Sequence, residues 1–423
     1  MYNIPHIDPV MILPFIILLG LIAFAPFINK KFWENYYPAI SISLGLIIVG
    51  YYIFILKNSE KVLITAHDYF SFIILIGSLY VVSGGILILL KGKSTPKYNL
   101  VLLAIGAVVA NILGTTGASM LLIRPFIKIN KYRLKPFHII FFIFIVSNVG
   151  GMLTPIGDPP LFLGFLKGIP FFWITTHLFW IWLFTNGLIL AIFYLYDKKD
   201  FEHRTEKTQH EIESEKEEWH FKGILNLGFL ALIIFSVFIE SPIMLREIIM
   251  ITAALSSYYF TDKEIHKKNN FNFHPIKEVA ILFLGIFATM MPALDWLSLN
   301  SSQLGINTTT EYFWATGLLS SALDNAPTYL NFLTASFGLF NLNIDNVNHL
   351  KEFLINHAKY VEVISAASVT FGACTYIGNG PNFMVKSIAE QSGVEMPNFV
   401  EYIFKFSLKI LLPIYFLVWL IFF

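Results

Sequence analysis

Cysteine is nearly absent: a single residue, Cys374, in 423 excludes an internal disulfide and a cysteine-ligated metal cluster, and its position beside Thr375 reads as a small apolar filler. Charge is also scarce. Lys, Arg, Asp and Glu together supply 13% of the chain and leave a net charge of +1, too little for a nucleic-acid-binding surface. The sequence has no HExxH, no GxSxG and no cofactor fingerprint, so neither an enzyme nor a bound cofactor is expected. What it has instead is apolar surface. Hydrophobic residues make up 56% of the chain, 42 of them Phe, and the mean hydropathy is +0.66. This is the composition of an all-α, polytopic membrane protein embedded in lipid.

Apolar runs of crossing length lie at 10–28, 37–56, 69–90 and 171–196, then at 221–239, 243–260, 279–297 and 399–423. The first resembles a signal peptide until its flank is read: Met1 to Pro9 carries no Lys or Arg, and Pro26 follows Ala25, so an uncleaved span is expected. Two further runs are interrupted by small and polar residues, 100–127 at Gly114-Thr115-Thr116-Gly117 and 313–340 at Asp324-Asn325-Ala326-Pro327. Each arm is too short to cross, which predicts two re-entrant hairpins with those residues at their tips.

Two more runs hold helix breakers at their middles. Within 137–166 stand Thr154, Gly157, Asp158, Pro159 and Pro160; within 361–388 stand Thr375, Gly378, Asn379, Gly380 and Pro381. Residues 151–161 and 372–382 share five identities in eleven positions, with Asp158 facing Asn379. Unpaired backbone survives in a bilayer only inside protein or beside water, and a charge there costs about 3 kcal/mol or more to insert. Matching interruptions in two halves of a chain are the sequence signature of a secondary transporter's binding site.

The resulting order predicts two repeats, 1–196 and 221–423, joined by a charged cytoplasmic linker at 197–220. Each repeat has five crossings and one hairpin, an odd number that inverts the second repeat relative to the first and places the broken helices at the midplane. With ten crossings both termini share a side. Loops on that side hold roughly six Lys and Arg against roughly seventeen opposite, which puts both termini outside the cytoplasm. The expected setting is the plasma (inner) membrane, with lipid around a multi-pass homodimer.

Chemistry at the tips and breaks is predicted to be that of small hard cations, which take oxygen ligands. Asp158 and Asp324 supply charge, and Asn325, Thr154, Thr375, Asn379, Thr115 and Thr116 supply neutral oxygen; Gly157, Pro159, Pro160, Gly378, Gly380 and Pro381 open the helices. The same acids serve as helix N-caps in the alternative reading. Sodium or lithium exchanging with protons at Asp158 and Asp324 is the first expectation. Sodium-coupled uptake of citrate, a dicarboxylate or a similar anion is the second, with helix N-termini facing the carboxylates.

The two hairpins, two broken helices, Thr-Pro-Ile-Gly-Asp-Pro-Pro at 154–160 and Leu-Asp-Asn at 323–325 resemble the ArsB/NhaD, citrate-transporter-like branch of the ion transporter superfamily, most closely NhaD-type sodium/proton antiporters. The resemblance implies transport of sodium and protons by an elevator-like movement of the hairpins and broken helices against a scaffold. The first tip, Gly-Thr-Thr-Gly at 114–117, departs from that branch by lacking its acid.

Overall fold

The computed structural model describes residues 5–91, 93–204, 218–239 and 241–423, most of them helical. Among the described residues eight helices are long and apolar enough to cross a bilayer.

Two groups of helices pack side by side. The first contains α1 (Leu13–Ile28), α2 (Lys30–Gly50), α3 (Ser59–Gly84), α8 (Leu225–Ser236), α9 (Leu245–Phe260), the short α10 (Lys263–Lys268) and α11 (His274–Asn300). The second contains α4 (Pro96–Ile129), α5 (Pro136–Ile145), α6 (Pro159–Leu166), α7 (Phe171–Glu202), α12 (Thr309–Ala322), α13 (Asn325–Leu339), α14 (Val347–Asn356), α15 (Ala358–Phe371), α16 (Gly380–Gln391), α17 (Phe399–Tyr402) and α18 (Leu412–Phe422). Phe72 on α3 marks the seam, with ring centroids 4.8 Å from Phe283 on α11 and 6.4 Å from Phe162 on α6.

α4 consists of two helical arms that meet at a kink at Gly114 and lie together. Gly114 adopts φ 73° and ψ 156°, a left-handed conformation that breaks the helix at little cost only because glycine has no Cβ. At the far ends of the arms Asn99 donates to Asn130 Oδ1 at 2.8 Å, and Asn130 donates back at 3.0 Å. Across a straight helix those 31 residues would be about 46 Å apart, so the chain folds back on itself at Gly114. The pair 309–322 and 325–339 does the same around Leu323 and Asp324. Tyr312 and Phe332, on opposite arms, have centroids 6.1 Å apart.

Several boundaries differ from the apolar pattern. The run 69–90 ends as helix at Gly84, and Leu87–Lys91 becomes strand β1, paired antiparallel with β2 (Glu218–Lys222). Packing against Gly85 stops the helix: Asn226 donates to its carbonyl at 2.8 Å, and a Cβ there would lie 2.5 Å from the same amide. α8 and α9, with 12 and 16 residues, are shorter than the spans expected at 221–239 and 243–260. The stretch 197–220 also divides. Asp197 to Glu202 complete α7, where buried Asp197 pairs with Arg133 and with His138 at 2.9 Å, so a charge run that reads as solvated is partly a buried ion-pair cluster. Residues 205–217, with Glu206, Lys207, Glu211, Glu213, Glu215, Lys216 and Glu217, lie outside the described residues.

Candidate functional site

The stretch between α5 and α6 is irregular, with a single 3-10 turn at Val149–Leu153, and the stretch between α15 and α16 repeats it with Gly372–Cys374. Both loops are closed by a threonine. Thr154 Oγ1 donates to Asn111 O at 2.6 Å and accepts from Gly157 N–H at 3.0 Å; Thr375 Oγ1 donates to Ser321 O at 2.6 Å and accepts from Gly378 N–H at 3.1 Å. Each loop then binds a hairpin tip through the backbone. Thr115 N–H donates to Gly157 O at 2.7 Å, and Asn325 N–H donates to Gly378 O at 3.2 Å. Two carbonyls are held alike, Leu153 O by Thr175 at 2.7 Å and Cys374 O by Ser407 at 2.7 Å. Backbone freed by the breaks therefore finds protein partners, as burial away from water demands.

Asp158 occupies the N-cap position of α6, yet its side chain caps nothing. The sequence explains why: an N-cap carboxylate accepts from the second or third helical N–H, and Pro159 and Pro160 remove the first two donors. The carboxylate turns inward instead. Its oxygens accept from Thr115 Oγ1 at 2.7 Å, Asn325 Nδ2 at 2.7 Å and Asn379 Nδ2 at 3.0 Å, and all four residues are buried. Three such bonds to one carboxylate offset part of the cost of enclosing its charge. The partners come from the α4 bend, the start of α13 and the position before α16. Four helical segments therefore begin around this carboxylate, and their N-termini add positive dipole ends.

Other expected site residues lie close by in different roles. Asp324 is the N-cap of α13, accepting from Ala326 N–H at 3.0 Å. Thr116 lines a cavity of about 30 Å³ beside Gly114, Thr115, Pro155, Gly157 and Pro159, room for about one water. Thr154 and Thr375 fold the loops and make no hydrogen bond to Asp158. Gly157 is required by contact, since a Cβ there would meet Gly151 O at 2.1 Å, and Gly378 by contacts of 2.6 and 2.8 Å to Gly372 O and Ser320 O. Gly380 and Pro381 are the first two residues of α16, as Pro159 and Pro160 are of α6.

Two residues escaped the sequence reading. Asn148 Nδ2 donates to Ile143 O at 2.8 Å and to Asn382 Oδ1 at 2.7 Å, and Asn382 Nδ2 donates to Gly372 O at 2.8 Å and Thr375 O at 2.9 Å. This amide pair ties one break to the other. Asn148 Oδ1 and Asn325 Oδ1 are both buried without a hydrogen-bond partner, so the site holds two idle neutral oxygens. A polar residue within a break, unmatched at its repeat counterpart (Val369 and Leu161), is the available signal.

A multi-helix membrane protein whose broken helices converge on a buried, hydrogen-bonded acid is a secondary transporter in class. The particular family follows from comparison. A model of the family described as "Putative citrate transport" matches residues 5–423, and the chain belongs to that family. No curated protein matches the chain.

Proposed function

We propose that this protein couples a monovalent cation, sodium by preference, to movement of a carboxylate anion of the citrate class. The observation that carries the reading is the Asp158 ring, a fixed carboxylate with neutral oxygens around it at the start of four helical segments. Asp158, Asn325, Asn379 and Thr115 form the cation end, with Asn148 joining through its idle oxygen. Asp324 and Thr116 border it, while helix N-termini offer the anion N–H groups and positive dipole ends. The family to which the chain belongs supports the anion.

A second reading, sodium or lithium exchanging with protons, draws support from one fact: among the described residues no Lys or Arg hydrogen-bonds to Asp158. Liposomes separate the two. Citrate uptake driven by an inward sodium gradient, with no proton movement on adding sodium chloride alone, is the expected result. Collapse of an imposed pH gradient by sodium without any carboxylate would move the assignment to antiport.

In the same proposal the folded-back pairs are re-entrant hairpins of two inverted repeats. The second group of helices moves elevator-like against the first, in a homodimer in the inner membrane. Both termini face outside. A reporter active only in the cytoplasm should be silent after Phe423 and active near Glu213, and the opposite pattern would reverse the orientation.

A further inference from the structure

Away from Asp158, a cavity of about 360 Å³ opens on the face where Pro5 lies, lined among others by Lys61, Asp68, Lys167, Asp295 and Asp345. It sits on the boundary between the two groups of helices. Lys61 and Asp68 belong to α3 and Asp295 to α11, whereas Lys167 follows α6 and Asp345 follows α13. Lys61 Nζ lies 3.0 Å from Asp295 and 3.0 Å from Asp345; Lys167 Nζ lies 3.0 Å from Asp68 and 2.8 Å from Asp345. Each ammonium thus has an aspartate of its own and shares the third.

The shared carboxylate is the one best able to leave. Asp295 is pinned by Tyr52 OH at 2.6 Å and is 5% exposed; Asp68 is 15% exposed; Asp345 stands in the turn after α13 and is 26% exposed. Burial alone would raise the Asp345 carboxyl, but Lys167 and Lys61 hold it below the usual carboxylate range. The cavity volume falls in the range of small-molecule sites, roughly 300–1,000 Å³.

We propose that this vestibule is a docking site for a carboxylate anion, which takes the place of Asp345 between Lys61 and Lys167. Between the two lysines, one carboxylate group of the anion takes the charge of one aspartate. When Asp345 swings out, two ammoniums and two aspartates remain, and the arriving carboxylate replaces the one that left. The choice of anion rests on the transport reading above. The vestibule supplies the cationic contacts that, among the described residues, the Asp158 ring lacks, and it does so at the other end of the same short helix: Asp158 precedes α6 and Lys167 follows it.

Equilibrium dialysis of radiolabelled citrate against the purified full-length protein, in detergent without sodium, isolates this site from a cation-requiring one. Asp345→Asn removes the competing carboxylate and should tighten binding about tenfold, while Lys167→Gln should weaken it about tenfold and Lys167→Arg should retain it. Elution volume and melting temperature report folding, and if Lys167→Gln fails to fold, Asp345→Asn decides alone. No sodium-free binding in either wild type or Asp345→Asn, or binding indifferent to both substitutions, overturns the proposal. Transport rates altered by Asp345→Asn without any change in citrate binding would make the cluster a latch between helix groups, and also overturn it. Sodium-free binding with the expected pattern but no sodium-driven uptake would defeat the transport reading and leave the vestibule standing. Sodium-driven uptake with indifferent binding would do the reverse.

Discussion

The two breaks share a scaffold and differ in what they present. Both are closed by a threonine hydroxyl, and each accepts a hairpin-tip N–H at its glycine carbonyl, Gly157 or Gly378. The acid, however, stands at the break in one half and at the tip in the other: Asp158 opposes Asn379, while Asp324 occupies the tip position that Gly114 holds in α4. Their fates diverge because of the next two residues. Asp158 is followed by two prolines that remove the first two donors, and the third, Leu161 N–H, donates to its backbone carbonyl, so its side chain reaches across to three other elements; Asp324 is followed by Asn325 and Ala326 and caps its own helix. One helix start spends its carboxylate on itself and the other turns it toward donors from three other segments.

The most severe way to break this comparison is to remove the ring's charge. Asp158→Asn keeps size and faces the Asn325 and Asn379 amides with a further amide, so cation affinity should fall by about 3 kcal/mol, roughly two orders of magnitude. Sodium-dependent uptake in liposomes at saturating carboxylate measures it. Transport that survives with an unchanged sodium dependence would remove Asp158 from the cation site.

Next in size come the glycines that let each loop close. Gly157→Ala would set a methyl 2.1 Å from Gly151 O, against 2.6 Å from Gly372 O for Gly378→Ala. Overpacking against backbone should cost about 3 kcal/mol in the first case and about 2 kcal/mol in the second. Melting temperatures in detergent give the order, and an equal or reversed order would show that the second loop is the tighter one.

Much of this was legible in the sequence. Helix breakers inside apolar runs located both breaks and both bends, because bilayer hydrocarbon forbids unpaired backbone and so makes each Gly or Pro cluster conspicuous. The Asp-Pro-Pro order at 158–160 reads equally as a helix cap, and only the partners across the site show that the Asp158 side chain turns inward. Other features were hidden for identifiable reasons. Asn148 and Asn382 are common polar residues, 234 positions apart, that gain meaning only when the two breaks meet and bring them to 2.7 Å. Asp197 reads as the start of a solvated charge run, since its partners Arg133 and His138 lie about sixty residues back. β1 reads as the tail of an apolar helix because Leu87 to Leu90 suit either state and tertiary contact at Gly85 decides.

A smaller effect separates the two acids. Asp324→Asn keeps an N-cap of equal quality, whereas Asp324→Ala loses the bond to Ala326 N–H and should lower stability by about 1 kcal/mol. If Asp324 serves chiefly as a cap, sodium-dependent uptake should persist in the Asn variant. Loss of uptake in a stable Asp324→Asn protein would return this carboxylate to the ion site alongside Asp158.

The smallest expected effect lies at Gly380, the first residue of α16, which the breaker pattern groups with Gly157 and Gly378. Its surroundings are different. A Cβ built there meets nothing within 4 Å, the residue is exposed, and its φ lies outside the left-handed range that would require glycine. In the first half Pro159 stands at the same position, ahead of Pro160 as Gly380 is ahead of Pro381, so the helix start tolerates a side chain. Gly380→Ala should therefore leave uptake unchanged and stabilise the protein by about 0.5 kcal/mol, through a less flexible unfolded chain. A drop in melting temperature, or any shift in sodium dependence, would mean that the approach to Asn379 needs the space or freedom of glycine after all, and that the two breaks are less alike than their shared hydrogen bonds imply.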